Sequence, residues 1–120
     1  MKVAVTSQGE DLDSQVDPRF GRARNFVVVD TESDAFETHD NAQNLNASQG
    51  AGIQAARNVA QMGVNAVITG NVGPKAFAAL QAGNIRVFVG ARGSVRQALE
   101  DLKAGNLQSA KEASVEGHWV

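Results

Sequence analysis

Val64-Asn65-Ala66-Val67-Ile68-Thr69-Gly70-Asn71-Val72-Gly73-Pro74-Lys75 reads as a strand, a tight loop and the start of a helix. An apolar, β-branched run ends in a glycine-punctuated turn, and Pro74 stands where its fixed φ suits the first helical residue. At such a junction the loop lies at the carboxyl end of the strand and the free N–H groups of the helix point into it, which favours an anionic ligand. This loop is the first candidate site.

The flanking segments repeat the pattern. Downstream, Ile85–Val89 is a second apolar strand, followed by the glycine-rich turn Gly90-Ala91-Arg92-Gly93-Ser94. Ser94-Val95-Arg96-Gln97 has capping-box spacing and opens a helix through Lys103, with Val95, Ala98, Leu99 and Leu102 as its apolar positions. Between these strands, Pro74–Ala82 is the expected helix, with Phe77 and Leu80 inward and Gly83 as its stop. Upstream, a helix is expected from about Gly50 to Met62, with Ile53, Ala56, Val59 and Ala60 on one face, Ser48 as its cap and Gly63 as its stop. Gly50 and Gly52 allow close approach of either a ligand or another backbone.

The amino-terminal third is different. Lys2–Ser7 reads as a strand buried on both faces, and Asn25–Asp30 with Ala35–His39 reads as a hairpin closed by His39-Asp40-Asn41. Gln8–Asp17 is a polar, acidic loop, and Asn41–Gln49 is a polar connection. Asp17-Pro18-Arg19-Phe20-Gly21-Arg22-Ala23-Arg24 is a basic knot in an acidic chain; its arginines either face an anion or pair with the acids just upstream. A strand, a hairpin and then βαβα predict one three-layer α/β/α domain with a mixed sheet. Val3–Val5, Val67–Thr69 and Val87–Val89 are its expected adjacent parallel strands. The loops after Ser7, Thr69 and Val89 are then expected to open on one edge, where Arg19–Arg22, Gly70–Lys75 and Gly90–Ser94 converge and the helices at Pro74 and Ser94 present unpaired N–H groups. The domain is expected over residues 1–107, and Gln108–Val120 is expected to be a tail, partly mobile and dispensable for the fold.

Composition removes several functions. A chain of 120 residues fits one domain, and a formal net charge of −2 gives no overall footprint for nucleic acid or anionic membrane. No apolar run nears the roughly 20 residues of a membrane span, and Met1-Lys2-Val3-Ala4-Val5 opens a strand, so a cytoplasmic protein is expected. The absence of cysteine removes disulfides, thiolate zinc sites and protein-ligated iron–sulfur clusters. The imidazoles are His39 and His118; His39 either ligates a metal or hydrogen-bonds in a turn, and His118 lies in the tail. No Ser/His/Asp grouping or clustered strand carboxylates are present, Asp30 standing alone at its strand end, so no hydrolase or transferase activity is expected. The glycine turns would also serve a small-molecule or nucleotide site, or a partner-protein site.

Lys-Val-Ala-Val at the amino terminus, Asp-Pro-Arg-Phe-Gly-Arg at 17–22, His-Asp-Asn at 39–41, Gly-Ala-Gly-Ile-Gln-Ala-Ala at 50–56, the stretch 63–76 and Gly-Asn-Ile-Arg-Val-Phe at 83–88 together carry a resemblance. In this order and spacing, from Met1 to about Gly105, the chain resembles the dinitrogenase iron–molybdenum cofactor biosynthesis family. That family includes NifX-like proteins, the C-terminal domain of NifB-like proteins and the orange protein of anaerobic bacteria. The resemblance implies a ribonuclease-H-like fold. It also implies binding, storage or carriage of a preformed metal–sulfide cluster, molybdenum–copper or iron–molybdenum in type, with proteins of cluster assembly as partners. Such an anion brings its own sulfide and needs N–H donors, positive charge and an apolar wall. Here Gly70, Asn71 and Gly73 would offer donors, Arg19, Arg22, Lys75 and Arg92 charge, Phe20 the wall, and His39 a ligand.

Overall fold

The computed structural model describes residues 1–45 and 50–114. In chain order the elements are β1 (Lys2–Ser7), β2 (Asn25–Asp30), β3 (Phe36–Asp40), α1 (Ala42–Leu45), α2 (Ala51–Gln61), β4 (Ala66–Ile68), α3 (Pro74–Ala82), β5 (Arg86–Val89), α4 (Val95–Lys103) and β6 (Gln108–Ser109). The strands form one sheet in the order β3-β2-β1-β4-β5-β6. β1, β4 and β5 are adjacent and parallel, with Ala4 opposite Val67 and Val67 opposite Val87. β2, β3 and β6 run antiparallel to their neighbours.

The central strands are apolar on both sides because both faces are covered. Ala4, Val28, Val67 and Val87 point with Phe26 toward α2 and α3, where they meet Ala55, Ala56, Val59, Phe77 and Leu80. Val3, Val5, Val27, Val29, Ile68 and Phe88 point the other way, against Val95, Ala98 and Leu99 of α4. Each buried valine contributes about 1.5–3 kcal/mol relative to exposure. The result is the three-layer arrangement with a mixed sheet that the βαβα pattern predicts.

Helix boundaries follow the expected signals. Pro74 opens α3, and the Ser94 side chain accepts the Gln97 N–H at 3.1 Å to cap α4. Gly63 and Gly105 take left-handed φ values of 73° and 75° just beyond α2 and α4. After α3 the left-handed residue is Asn84, with φ 59°, while Gly83 is still near-helical. On α2 the buried face is Ala51, Ala55, Ala56 and Val59; Ile53 is half-buried and Ala60 exposed, contrary to the expected face. The expected cap Ser48 lies outside the described residues.

Two elements differ from the sequence reading. Ala42–Leu45, inside the expected polar connection, forms one short helical turn started by the Asp40 carboxylate, which accepts the Ala42 N–H. The segment beginning at Gln108, expected as tail, starts with β6, paired to β5 through Gln108–Val89 and Ser109–Phe88. It continues with Ala110 N–H donating to the Val87 carbonyl at 2.8 Å, and Ala110 and Ala113 pack on the core.

Candidate functional site

The loops after β1, β4 and β5 leave the same edge of the sheet and are bonded to one another there. Thr6, at the end of β1, donates its hydroxyl to the Asp17 carbonyl oxygen at 2.7 Å and stands 2.9 Å from the Thr69 hydroxyl, both residues being buried. The Asn71 N–H donates to the Pro18 carbonyl at 2.8 Å, which sets Arg19 beside Asn71. Gly90 N–H donates to Gly70 oxygen at 2.9 Å, and Val16 N–H to Gly93 oxygen at 2.9 Å. The convergence expected of Arg19–Arg22, Gly70–Lys75 and Gly90–Ser94 thus has covalently distant loops held by backbone bonds.

Asp17 organises the arginine loop. Its buried carboxylate accepts the Arg19 N–H at 3.0 Å and the Arg24 N–H at 3.3 Å, and the Arg19 Nε lies 3.8 Å away. Pairing with an upstream acid is therefore part of what Arg19 does, although its side chain remains 43% exposed. Arg22 is half-buried, while Lys75 and Arg92 are exposed. Asn41, 1% exposed, donates its side-chain amide to the carbonyls of Gly21 at 3.1 Å and Ala23 at 2.8 Å, fastening the loop to the end of β3. Sequence reasoning placed Asn41 only as a hairpin closer; a polar residue directly after a strand was the available signal.

Phe20 does not form a wall of the site. It is 0% exposed and packs on Phe26 with ring centroids 5.6 Å apart, so it anchors the loop from beneath. Gly21 lies directly on the first turn of α2: a Cβ there would fall 2.8 Å from the Gly52 Cα and N. Gly52 in turn faces Ala76 of α3, where its own Cβ would come within 3.1 Å of the Ala76 Cβ. At Gly70 a Cβ would fall 2.7 Å from the Pro18 Cα. Of the two glycines read from sequence as allowing close approach, Gly52 does so, to Gly21 and Ala76, whereas a Cβ at Gly50 would meet nothing within 4 Å and Gly50 takes a left-handed φ of 78°.

Not every expected donor is available. The α4 end is saturated: Val95 N–H donates to Ser14 oxygen at 2.9 Å, Arg96 N–H to Leu12 oxygen at 2.8 Å, and Gln97 N–H to the Ser94 hydroxyl. This corrects the expectation that α4 offers unpaired N–H groups, because the acidic loop after β1 supplies the acceptors. In the Gly70–Gly73 loop the Asn71 amide is used by Pro18, and the Val72 amide donates to the Ser114 hydroxyl at 2.9 Å. α3 is different. Gly73 at its N-cap has no side chain to accept, Pro74 has no N–H, and the amides of Lys75 and Ala76 begin the helix without an intrahelical acceptor. The uncapped N–H groups described at this edge are therefore those at the start of α3, which follows the loop that pairs Asn71 with Arg19.

His39 stands on β3, the outer strand beyond β2, with its side chain 37% exposed and Nε2 3.2 Å from Glu37 Oε1. Among the described residues no three His, Cys, Asp or Glu side chains gather in a way that could hold a bare metal ion. Asp30 ends β2 opposite Lys2, at the other end of the sheet from these loops. Its carboxyl is held below its usual value, chiefly by hydrogen bonding to the Glu32 N–H at 2.9 Å. A groove of about 380 Å³ borders the same edge, lined by Gln8, Glu10, Arg24, Asn25 and Asp40, and its charges are mixed. His118 and Trp119 lie outside the described residues.

The structure is a three-layer α/β domain without cysteine that places an uncapped α3 start and cationic side chains on a shared loop edge. The chain belongs to the dinitrogenase iron-molybdenum cofactor family, whose sequence model matches residues 1–105. It is similar to the apo form of the orange protein from Desulfovibrio gigas, with 45% identity and a TM-score of 0.93 over 95% of this chain and 96% of that one. A putative NifB protein from Thermotoga is 34% identical with a TM-score of 0.83, over 97% of this chain and 98% of that one. An uncharacterised protein of Methanocaldococcus jannaschii is 30% identical over 110 residues, 90% of each chain. Among the described residues, no helix is long and apolar enough to cross a membrane.

Proposed function

We propose that this protein binds and holds, without catalysis, an anionic metal–sulfide cluster at the edge formed by Arg19–Arg22, Gly70–Lys75 and Arg92. The observation that carries the reading is the juxtaposition of an uncapped α3 with Arg19, fixed by the Asn71–Pro18 bond. A helix start and a guanidinium both favour negative charge, and neither competes with sulfide as a metal ligand. Without cysteine, the protein holds the cluster non-covalently through charge and N–H donors, so the sulfide must arrive with the metal.

Family membership supports a molybdenum-containing cluster as the cargo, either molybdenum–copper or related to the iron–molybdenum cofactor. The similarity to the orange protein favours the former. In this reading the protein works in the cytoplasm as a carrier or store that exchanges cluster with proteins of cluster assembly, and its domain is ribonuclease-H-like without that fold's carboxylate chemistry. His39 lies on the outer strand, and charge capture at this edge gives it no ligating role. The test is reconstitution with tetrathiomolybdate and copper, followed by desalting, absorbance and metal counting. A visible chromophore that co-elutes with the protein at fixed metal stoichiometry is expected. Elution of colourless protein would contradict the proposal.

A further inference from the structure

Among the described residues no strand covers the outer edge of β3, whose sequence is Phe36-Glu37-Thr38-His39-Asp40. The direction of its backbone groups follows from bonds on either side. Asp30 N–H donates to Ala35 oxygen at 2.9 Å, and Asn41 N–H donates to Arg24 oxygen at 3.0 Å. With the unbroken register between these points, Glu37 and His39 also face β2. Phe36, Thr38 and Asp40 therefore turn their N–H and C=O groups outward.

We infer that β3 is a self-association surface, on which two copies pair antiparallel about Thr38 to continue the sheet across a two-fold axis. In that register Thr38 meets Thr38 of the second copy, and Phe36 and Asp40 exchange partners, so every outward backbone group is bonded. Glu37 then lies opposite the second copy's His39, in the closer, non-bonded type of pair, and each imidazole meets a carboxylate. The neighbouring registers that satisfy the same backbone groups place Glu37 on Glu37 or His39 on His39, which opposes identical groups. The side chains thus select one register of the three. Phe36, 45% exposed, is one of two large apolar side chains left at the surface among the described residues, and pairing would cover part of it.

Five residues per strand bury less than the roughly 1,200 Å² of a standard stable interface, so the dimer is weak and depends on concentration. This surface is independent of the cluster reading. The test is sedimentation velocity on the full chain from micromolar to millimolar concentration. Wild type should move toward dimer as concentration rises. Thr38→Pro removes an outward N–H that the β2 ladder does not use and should remain monomeric with an unchanged far-UV spectrum. That variant also loses the Thr38 hydroxyl bond to the Glu10 carbonyl, so a charge exchange forms a second arm. Glu37→Lys should abolish association, and adding His39→Glu should restore it by putting Lys opposite Glu. A wild type that stays monomeric throughout would overturn the proposal, as would Thr38→Pro dimerising like wild type or a charge exchange that fails to restore.

Discussion

At the scale of single residues, the site depends on side chains that are absent or hidden. Gly21 lets the arginine loop lie on α2 and Gly70 lets Pro18 lie on the loop after β4, while Asp17 and Asn41 hold the arginine loop from within. Gly21→Ala should destabilise the fold by about 1–3 kcal/mol, because its Cβ meets backbone that cannot rotate away. Denaturant unfolding checks this; a stability equal to wild type would contradict the packing described. Phe20 shows why residue roles were only partly legible. Flanked by arginines it reads as exterior, yet the loop turns it inward to Phe26, and the partner that turns it is distant in sequence.

At the scale of elements, apolar runs and punctuation carried most of the information. β1, β4, β5, α3 and α4 are visible because each has a continuous apolar or periodic pattern with a proline, serine or glycine near its ends, and β2 through its apolar run alone. β6 is not visible, since Gln108 and Ser109 are exposed and polar, and the strand exists through backbone bonds to β5. The saturated start of α4 was equally hidden, because its acceptors come from carbonyls of Leu12 and Ser14 that no side-chain pattern marks. Ser94→Ala should cost about 1 kcal/mol, measured by denaturation, as the cap to Gln97 is lost. A chain ending at Asn106 should still fold, since the two core layers are drawn mainly from residues before it, but it should melt at lower temperature. Loss of the β6 ladder and of the Ser114 clasp on Val72 accounts for the difference. Failure of that chain to give the wild-type circular dichroism spectrum would show the segment to be required for folding.

At the scale of the molecule, the proposed function has an acidic chain concentrate its capacity for an anion at one sheet edge, and whole-chain charge gives no sign of it. Three-layer architecture was legible from the order of strand, hairpin and βαβα, whereas the final choice of donors depended on which N–H groups other loops already occupy. The central claim is charge capture at Arg19, Arg22 and the α3 start. It is tested most directly by titrating tetrathiomolybdate with copper into wild type, Arg19→Ala, Arg22→Ala and His39→Ala at two salt concentrations. Each arginine variant should bind more weakly by about 1–3 kcal/mol, roughly five- to 150-fold in Kd, and wild-type binding should weaken with salt. His39→Ala should change affinity little and leave the chromophore unshifted. Wild-type affinity in both arginine variants, together with binding indifferent to salt, would contradict the account.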